Sequence, residues 1–173
     1  MKKLFSSFKP IFRNYFLILL VYFFFYISSG GMENNIPFLF EKRIGNSLYG
    51  IFLSLLSIMD VVLPLLIVYF SKKFTPLAVG GLSLLLGAGA AVGISLTENK
   101  AVIFAGLFLI YCVRIMFNYS AGNSFNLAVP SEERTGYFAL RDIFLYGAIA
   151  ISTWLSGWLI GKWNMEAAYG FLS

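Results

Sequence analysis

The chain reads as long apolar runs separated by short polar breaks. The first run is free of charge from Asn14 to Met32, and the second extends from Ile44 to Ser71 with Asp60 as its one charged position. A third covers Phe74 to Thr97, a fourth Ala101 to Ser131 with only Arg114 charged inside it, and a fifth Ile143 to Gly161. A bilayer core about 30 Å thick is crossed by roughly 20 apolar residues in a helix, so each run is long enough to span it. A sixth apolar run begins at Ala167 and reaches Ser173, too short to cross. The expected fold class is all-α, a polytopic transmembrane helical bundle of five spans plus the start of a sixth. A basic cytoplasmic N-terminus, 1–13, precedes a bundle over 14–173, with spans expected at about 14–36, 45–71, 75–96, 101–128 and 138–161 and a stub from 167. Pro10, Pro37, Pro76 and Pro130 stand near span ends, where a missing N–H costs little. Pro64 falls inside the second span and predicts a kink there, provided a neighbouring helix or water rescues the freed carbonyl.

Composition narrows the class further. Of 173 residues, 59% are apolar and 12% charged, against roughly 25% charged in soluble domains; the mean hydropathy is +0.80. The net charge of +5 does not point to nucleic acid, because the basic residues are scattered between apolar runs and form no stripe. They sort by side instead. With the N-terminus in the cytoplasm, that side carries Lys2, Lys3, Lys9, Arg13, Lys72, Lys73, Arg134 and Arg141, and the opposite side Lys42, Arg43, Lys100 and Lys162. The positive-inside rule therefore orients the chain N-terminus in, as a multi-pass protein of a plasma or bacterial inner membrane. The first apolar run is longer than the core of a cleaved signal, so it is expected to remain as a span.

Residue types restrict the chemistry. Histidine is absent and Cys112 is the single cysteine, which removes His-bearing triads, His-ligated metals and a disulfide framework. No Gly-x-x-x-x-Gly-Lys-Ser/Thr phosphate cradle occurs. No enzyme activity, cofactor or metal is expected. Glu132 and Glu133 read as solvated loop charges or as acids that start the fifth span.

The helix faces supply the candidates. Asp60 and Arg114 lie within spans, where a charge costs roughly 2.5–3.5 kcal/mol even on lenient insertion scales, so Asp60 is expected to face protein or water and Arg114 to need an acceptor. Arg114, Asn118, Gly122 and Asn126 follow at four-residue steps and form a polar flank. Tyr22, Tyr26, Ser29, Gly30 and Glu33 share a face of the first span, read either as a cavity wall or as an aromatic girdle at the membrane surface, with Glu33, Asn34 and Asn35 marking the outer end. Small residues at Gly89 and Gly93, and again at Gly157 and Gly161, are expected to pack helices closely.

The order of features resembles the N-terminal half of a major facilitator superfamily transporter. The resemblance rests on the end of the first span, Gly30-Gly31-Met32-Glu33-Asn34-Asn35-Ile36-Pro37, and on the loop Gly45-Asn46-Ser47-Leu48-Tyr49-Gly50. It rests further on Arg114 in the fourth span, with Val129-Pro130-Ser131-Glu132-Glu133-Arg134 following it. The chain departs from the family at the loop after the second span, where the positions of the usual pattern read Val68, Lys72, Lys73, Thr75, Pro76 and Leu77, with Lys72 in place of the acidic residue and both glycines lost. It also lacks the Gly-Pro signature of drug/proton antiporters in the fifth span. The resemblance implies a transporter component that moves a small solute, by efflux or uptake, through alternating access. It implies secondary active, proton-coupled transport as part of a longer or assembled protein, with a second transmembrane half, covalent or separate, as partner. Arg114, Asp60, Asn118, Glu33, Tyr22, Tyr26 and Asn126 are then the candidates for substrate or ion coupling. The reading from another class is a non-transporting membrane interaction protein or a truncated transporter remnant.

Overall fold

The computed structural model describes residues 2–70 and 73–162, the side chains of 2–12, 32, 70, 77, 121 and 124–127 excepted. The expected stub from 167, and Lys72 in the loop after the second span, lie outside the described residues. Within them every regular element is helical: α1 (Lys2–Asn34), α2 (Ile36–Leu39), a π-helical turn (Phe40–Ile44), α3 (Ser47–Phe70), α4 (Pro76–Ser95), α5 (Lys100–Ala128) and α6 (Arg134–Lys162). Five stretches are long and apolar enough to cross a membrane: Arg13–Ile44, Ser47–Tyr69, Ala78–Ser95, Lys100–Ser120 and Arg134–Lys162.

The first of these stretches runs past residue 36. Pro37 has no N–H to return to Glu33, so α1 stops at Asn34 and the chain restarts as α2 with Pro37 in its first turn. Asn35 bridges the break, its Nδ2 donating to the Gly31 carbonyl at 2.7 Å. The path then closes in the wider π turn and ends at Gly45, whose N–H donates to Phe40 O at 2.6 Å. Gly45 has φ +117°, a conformation that L side chains rarely adopt. Thr75 caps α4 by accepting from the Ala78 N–H at 3.3 Å, and Asn99 caps α5 by accepting from Ala101 N–H at 3.0 Å. α3 continues unbroken through Pro64.

The helices pack in two groups: α1 on α6, and α5 on α4 and α3. The α1 and α6 chains run the same way, because their contacts advance together from Tyr15 on Tyr137 through Phe23 on Phe144 to Asn34 on Thr153. Close approach occurs at Gly30, where an added Cβ would lie 3.1 Å from Ser152 Oγ. The α4 and α5 chains run oppositely, touching at Gly87 against Val113 and at Gly106 against Ile94. A Cβ at Gly106 would stand 2.7 Å from Ile94 Cγ1. Without a hydrophobic drive in lipid, such van der Waals contact is what holds helices together. α3 and α5 run parallel, with Phe52 on Phe104 near one end and Asp60 on Tyr111 further along.

A fully buried aromatic, Phe40, ties the groups at one end by meeting Tyr49, Phe52 and Phe104 at ring separations of 4.9–5.9 Å. The small faces expected to pack helices are placed otherwise. A Cβ built at Gly89, Gly93, Gly157 or Gly161 meets no atom within 4 Å. The close approaches are made by Gly30, Gly87 and Gly106 instead, because the register that seats the bulky neighbours turns these glycines inward.

Candidate functional site

The face that joins the two groups runs along α1 and α5, which pass in opposite directions. Pairing therefore matches rising numbers on α1 with falling numbers on α5. A Cβ added at Gly122 would lie 3.0 Å from Tyr22 Oη, so the absence of a side chain there makes room for that hydroxyl. One turn on, Tyr26 Oη donates to Asn118 Oδ1 at 2.7 Å. Phe117 fills the space beside them, stacked on Phe25 with ring centres 4.0 Å apart and edge-on to Tyr22 at 5.9 Å. Further along, Arg114 donates through Nη1 to Glu33 Oε2. The acceptor that Arg114 required is Glu33.

Glu33 stands inside the first apolar stretch, which continues to Ile44. At 1.5 Å per residue, Ile44 lies about 17 Å beyond Glu33, while Arg114 is about 21 Å along α5 from Lys100 and Asp60 about 20 Å along α3 from Ser47. The three positions thus stand at similar distances from the ends of their apolar stretches. The break at Asn35 looked like the end of a span in sequence because Asn and Pro punctuate span ends; here the helix resumes and carries the chain on. Asn34 is used in packing, its Nδ2 donating to Thr153 Oγ1 at 2.5 Å.

Tyr111 links the ion pair to Asp60. Its ring lies under the Arg114 guanidinium, 5.1 Å from the centroid, and its hydroxyl sits 2.9 Å from both Asp60 oxygens. Glu33, Arg114, Tyr111 and Asp60 so form one network across α1, α5 and α3. The network is closed at the α1 side, where the Glu33 and Arg114 side chains are 19% and 30% exposed, and open at Asp60, which is exposed on the outer face of α3. One Glu33 oxygen, Oε1, is buried without a hydrogen-bond partner among the described residues.

Two features of this site are not evident from the runs and motifs of the sequence. Tyr111 joins Asp60 only through the register of α3 on α5, although its spacing of three from Arg114 is visible. On α3, Gly50, Ser54, Ser57 and Asp60 are all exposed and fall on one side of the helix, three or four residues apart. The Ser54 and Ser57 hydroxyls donate back to Gly50 O at 2.9 Å and Leu53 O at 3.1 Å. Of the remaining candidates, the side chain of Asn126 lies outside the described residues. A cavity of about 540 Å³ separates α1 from α4 and α5; it is lined by Phe24, Phe25, Leu84, Ala88 and Val113 with Ser28 and Ser29. Among the described residues no three His, Cys, Asp or Glu side chains gather as a metal site would need. At the other end of α1, Tyr15 Oη donates to Glu133 Oε2 at 3.0 Å, which ties the start of the first span to the α5–α6 turn.

These features make up an all-helical chain with five stretches long and apolar enough to cross a membrane and a charged network that joins three of them. No protein-family model, curated protein or solved structure matches the chain.

Proposed function

We propose that the protein is a component of a membrane transporter that moves a small solute by alternating access, with the Glu33–Arg114–Tyr111–Asp60 network as its coupling and binding centre. One observation carries the reading: three ionisable side chains from three helices join in one network, and one of them, Asp60, is left open on the surface of the bundle. An ionised carboxylate facing hydrocarbon costs roughly 2.5–3.5 kcal/mol, so this face belongs against water or another polypeptide. Transporters of two-half design place substrate and coupling ions at the midplane between the halves. The Asp60 face fits the wall of such a cavity, with a second transmembrane half opposite. The resemblance to the N-terminal half of the major facilitator fold, through Arg114 and the Pro130-to-Arg134 loop, agrees with this placement. In this arrangement the N-terminus is cytoplasmic and Ser47 and Lys100 lie at the external side.

Thiol accessibility tests the reading. The single-cysteine variants Ser57→Cys and Asp60→Cys, in a Cys112→Ser background and in native membranes, are expected to react with a membrane-impermeant methanethiosulfonate reagent added from outside. Leu65→Cys and Leu85→Cys, at positions where leucine is exposed at 68% and 74% on apolar surface, are expected to stay unreacted because a thiol in hydrocarbon does not ionise. Equal inertness at all four positions would remove the aqueous cavity and the transport reading with it.

A further inference from the structure

The network does not balance its own charge: Glu33 and Asp60 bring two carboxylates to a single guanidinium, and Arg114 is already engaged by Glu33. Asp60 accepts from the neutral Tyr111 hydroxyl alone among the described residues. A second acceptor lies at the same residue. Pro64 stands four positions on in the unbroken helix α3 and has no N–H, so the main-chain carbonyl of Asp60 lacks its helical donor. The exposed side of α3 leading to this point is similarly poor in donors. The Ser54 and Ser57 protons are spent on Gly50 O and Leu53 O, which leaves the oxygen lone pairs of both hydroxyls facing outward.

We propose that this acceptor-rich face of α3, ending at Asp60 and its freed carbonyl, binds a monovalent cationic group, so that the solute of the proposed transporter is a cation. The inference rests on the transport reading and deepens it. One uncompensated carboxylate charge matches one positive charge. A row of oxygens with their protons committed elsewhere repels anions, which would find no donor there. The positive charge has two chemical sources, an alkali ion ringed by oxygens or an ammonium-type organic cation resting beside the Tyr111 ring.

Equilibrium dialysis of the full chain in lipid nanodiscs separates these. The probes are radiolabelled sodium, tetraphenylphosphonium, and tetraphenylborate as an anion of the same shape. Saturable binding of sodium or of tetraphenylphosphonium is expected, identifying the source, with at least tenfold weaker binding in Asp60→Asn and binding within about threefold of wild type in Asp60→Glu. Pro64→Ala, which restores the missing N–H and favours the helix, is expected to weaken binding severalfold without loss of helical circular dichroism. The proposal is overturned if neither cation binds saturably, if Asp60→Asn binds as wild type does, or if tetraphenylborate binds equally well. Thiol accessibility of the Ser57→Cys variant keeps the two failures apart. A reactive thiol at that position with no cation binding sinks the cation assignment alone, and an inert thiol there sinks the transport reading.

Discussion

Removing the Arg114 guanidinium should destabilise the bundle more than removing its partner carboxylate. Arg114→Gln leaves Glu33, 19% exposed, without its counter-charge, and leaves Asp60 on the other side of Tyr111 to add repulsion. Breaking a fully buried pair from one side costs about 3–5 kcal/mol. Because the Arg114 side chain is 30% exposed, solvent reduces this to an expected loss of about 2–3 kcal/mol. Glu33→Gln differs in kind. Arg114 keeps the Tyr111 ring 5.1 Å away, keeps an amide oxygen as acceptor, and has Asp60 within the same network, so the expected loss is about 1 kcal/mol. The double variant carries no unpaired charge at this point of contact, and it should be more stable than Arg114→Gln alone by about 1 kcal/mol. Reversible unfolding by sodium dodecyl sulfate in mixed micelles, followed by far-ultraviolet circular dichroism, measures all three. Arg114→Gln within about 0.5 kcal/mol of wild type, or a double variant that simply adds the two single losses, would refute the reasoning.

The same unfolding assay checks the packing contacts. Gly106→Ala drives a Cβ to 2.7 Å from Ile94 Cγ1 and should cost about 1–3 kcal/mol through overpacking of α4 on α5. Gly89→Ala and Gly157→Ala meet nothing within 4 Å and should be neutral or stabilising by up to about 1 kcal/mol, since alanine is the better helix former. A loss at position 89 as large as that at position 106 would show that the free side of α4 is packed in the membrane. Tyr26→Phe removes the 2.7 Å bond to Asn118 and should cost about 0.6 kcal/mol and at most about 1.7, the average and maximum for hydrogen bonds between membrane helices. No loss in Tyr26→Phe, with Asn118→Ala equally silent, would mean that this contact does not join α1 to α5. Gly45→Ala, forced to φ +117° and ψ +136°, should cost about 1–3 kcal/mol, and a milder effect would argue that the α2–α3 connection adapts.

The helical class and the five stretches long and apolar enough to cross a membrane follow from the sequence alone. A run of roughly 20 apolar residues either crosses a bilayer as a helix or exposes a surface that water rejects, and that choice depends on consecutive residues only. The loop caps Thr75 and Asn99 are local for the same reason. That Arg114 needs an acceptor also follows locally, because a guanidinium does not shed its proton. Its identity does not. Glu33 lies 81 positions away, and Asp60 reaches Tyr111 only because Phe40, Phe52 and Phe104 set how far α3 slides along α5. Small-residue spacing tells a similar story: Gly89-x-x-x-Gly93 states that a close neighbour fits, while the neighbour is assigned by which side of α4 the bulky side chains of α5 occupy. Periodicity records what each helix offers to its surroundings. Which offers meet is fixed by the relative rotation and register of whole helices, a sum over many weak contacts that no single stretch of the chain contains.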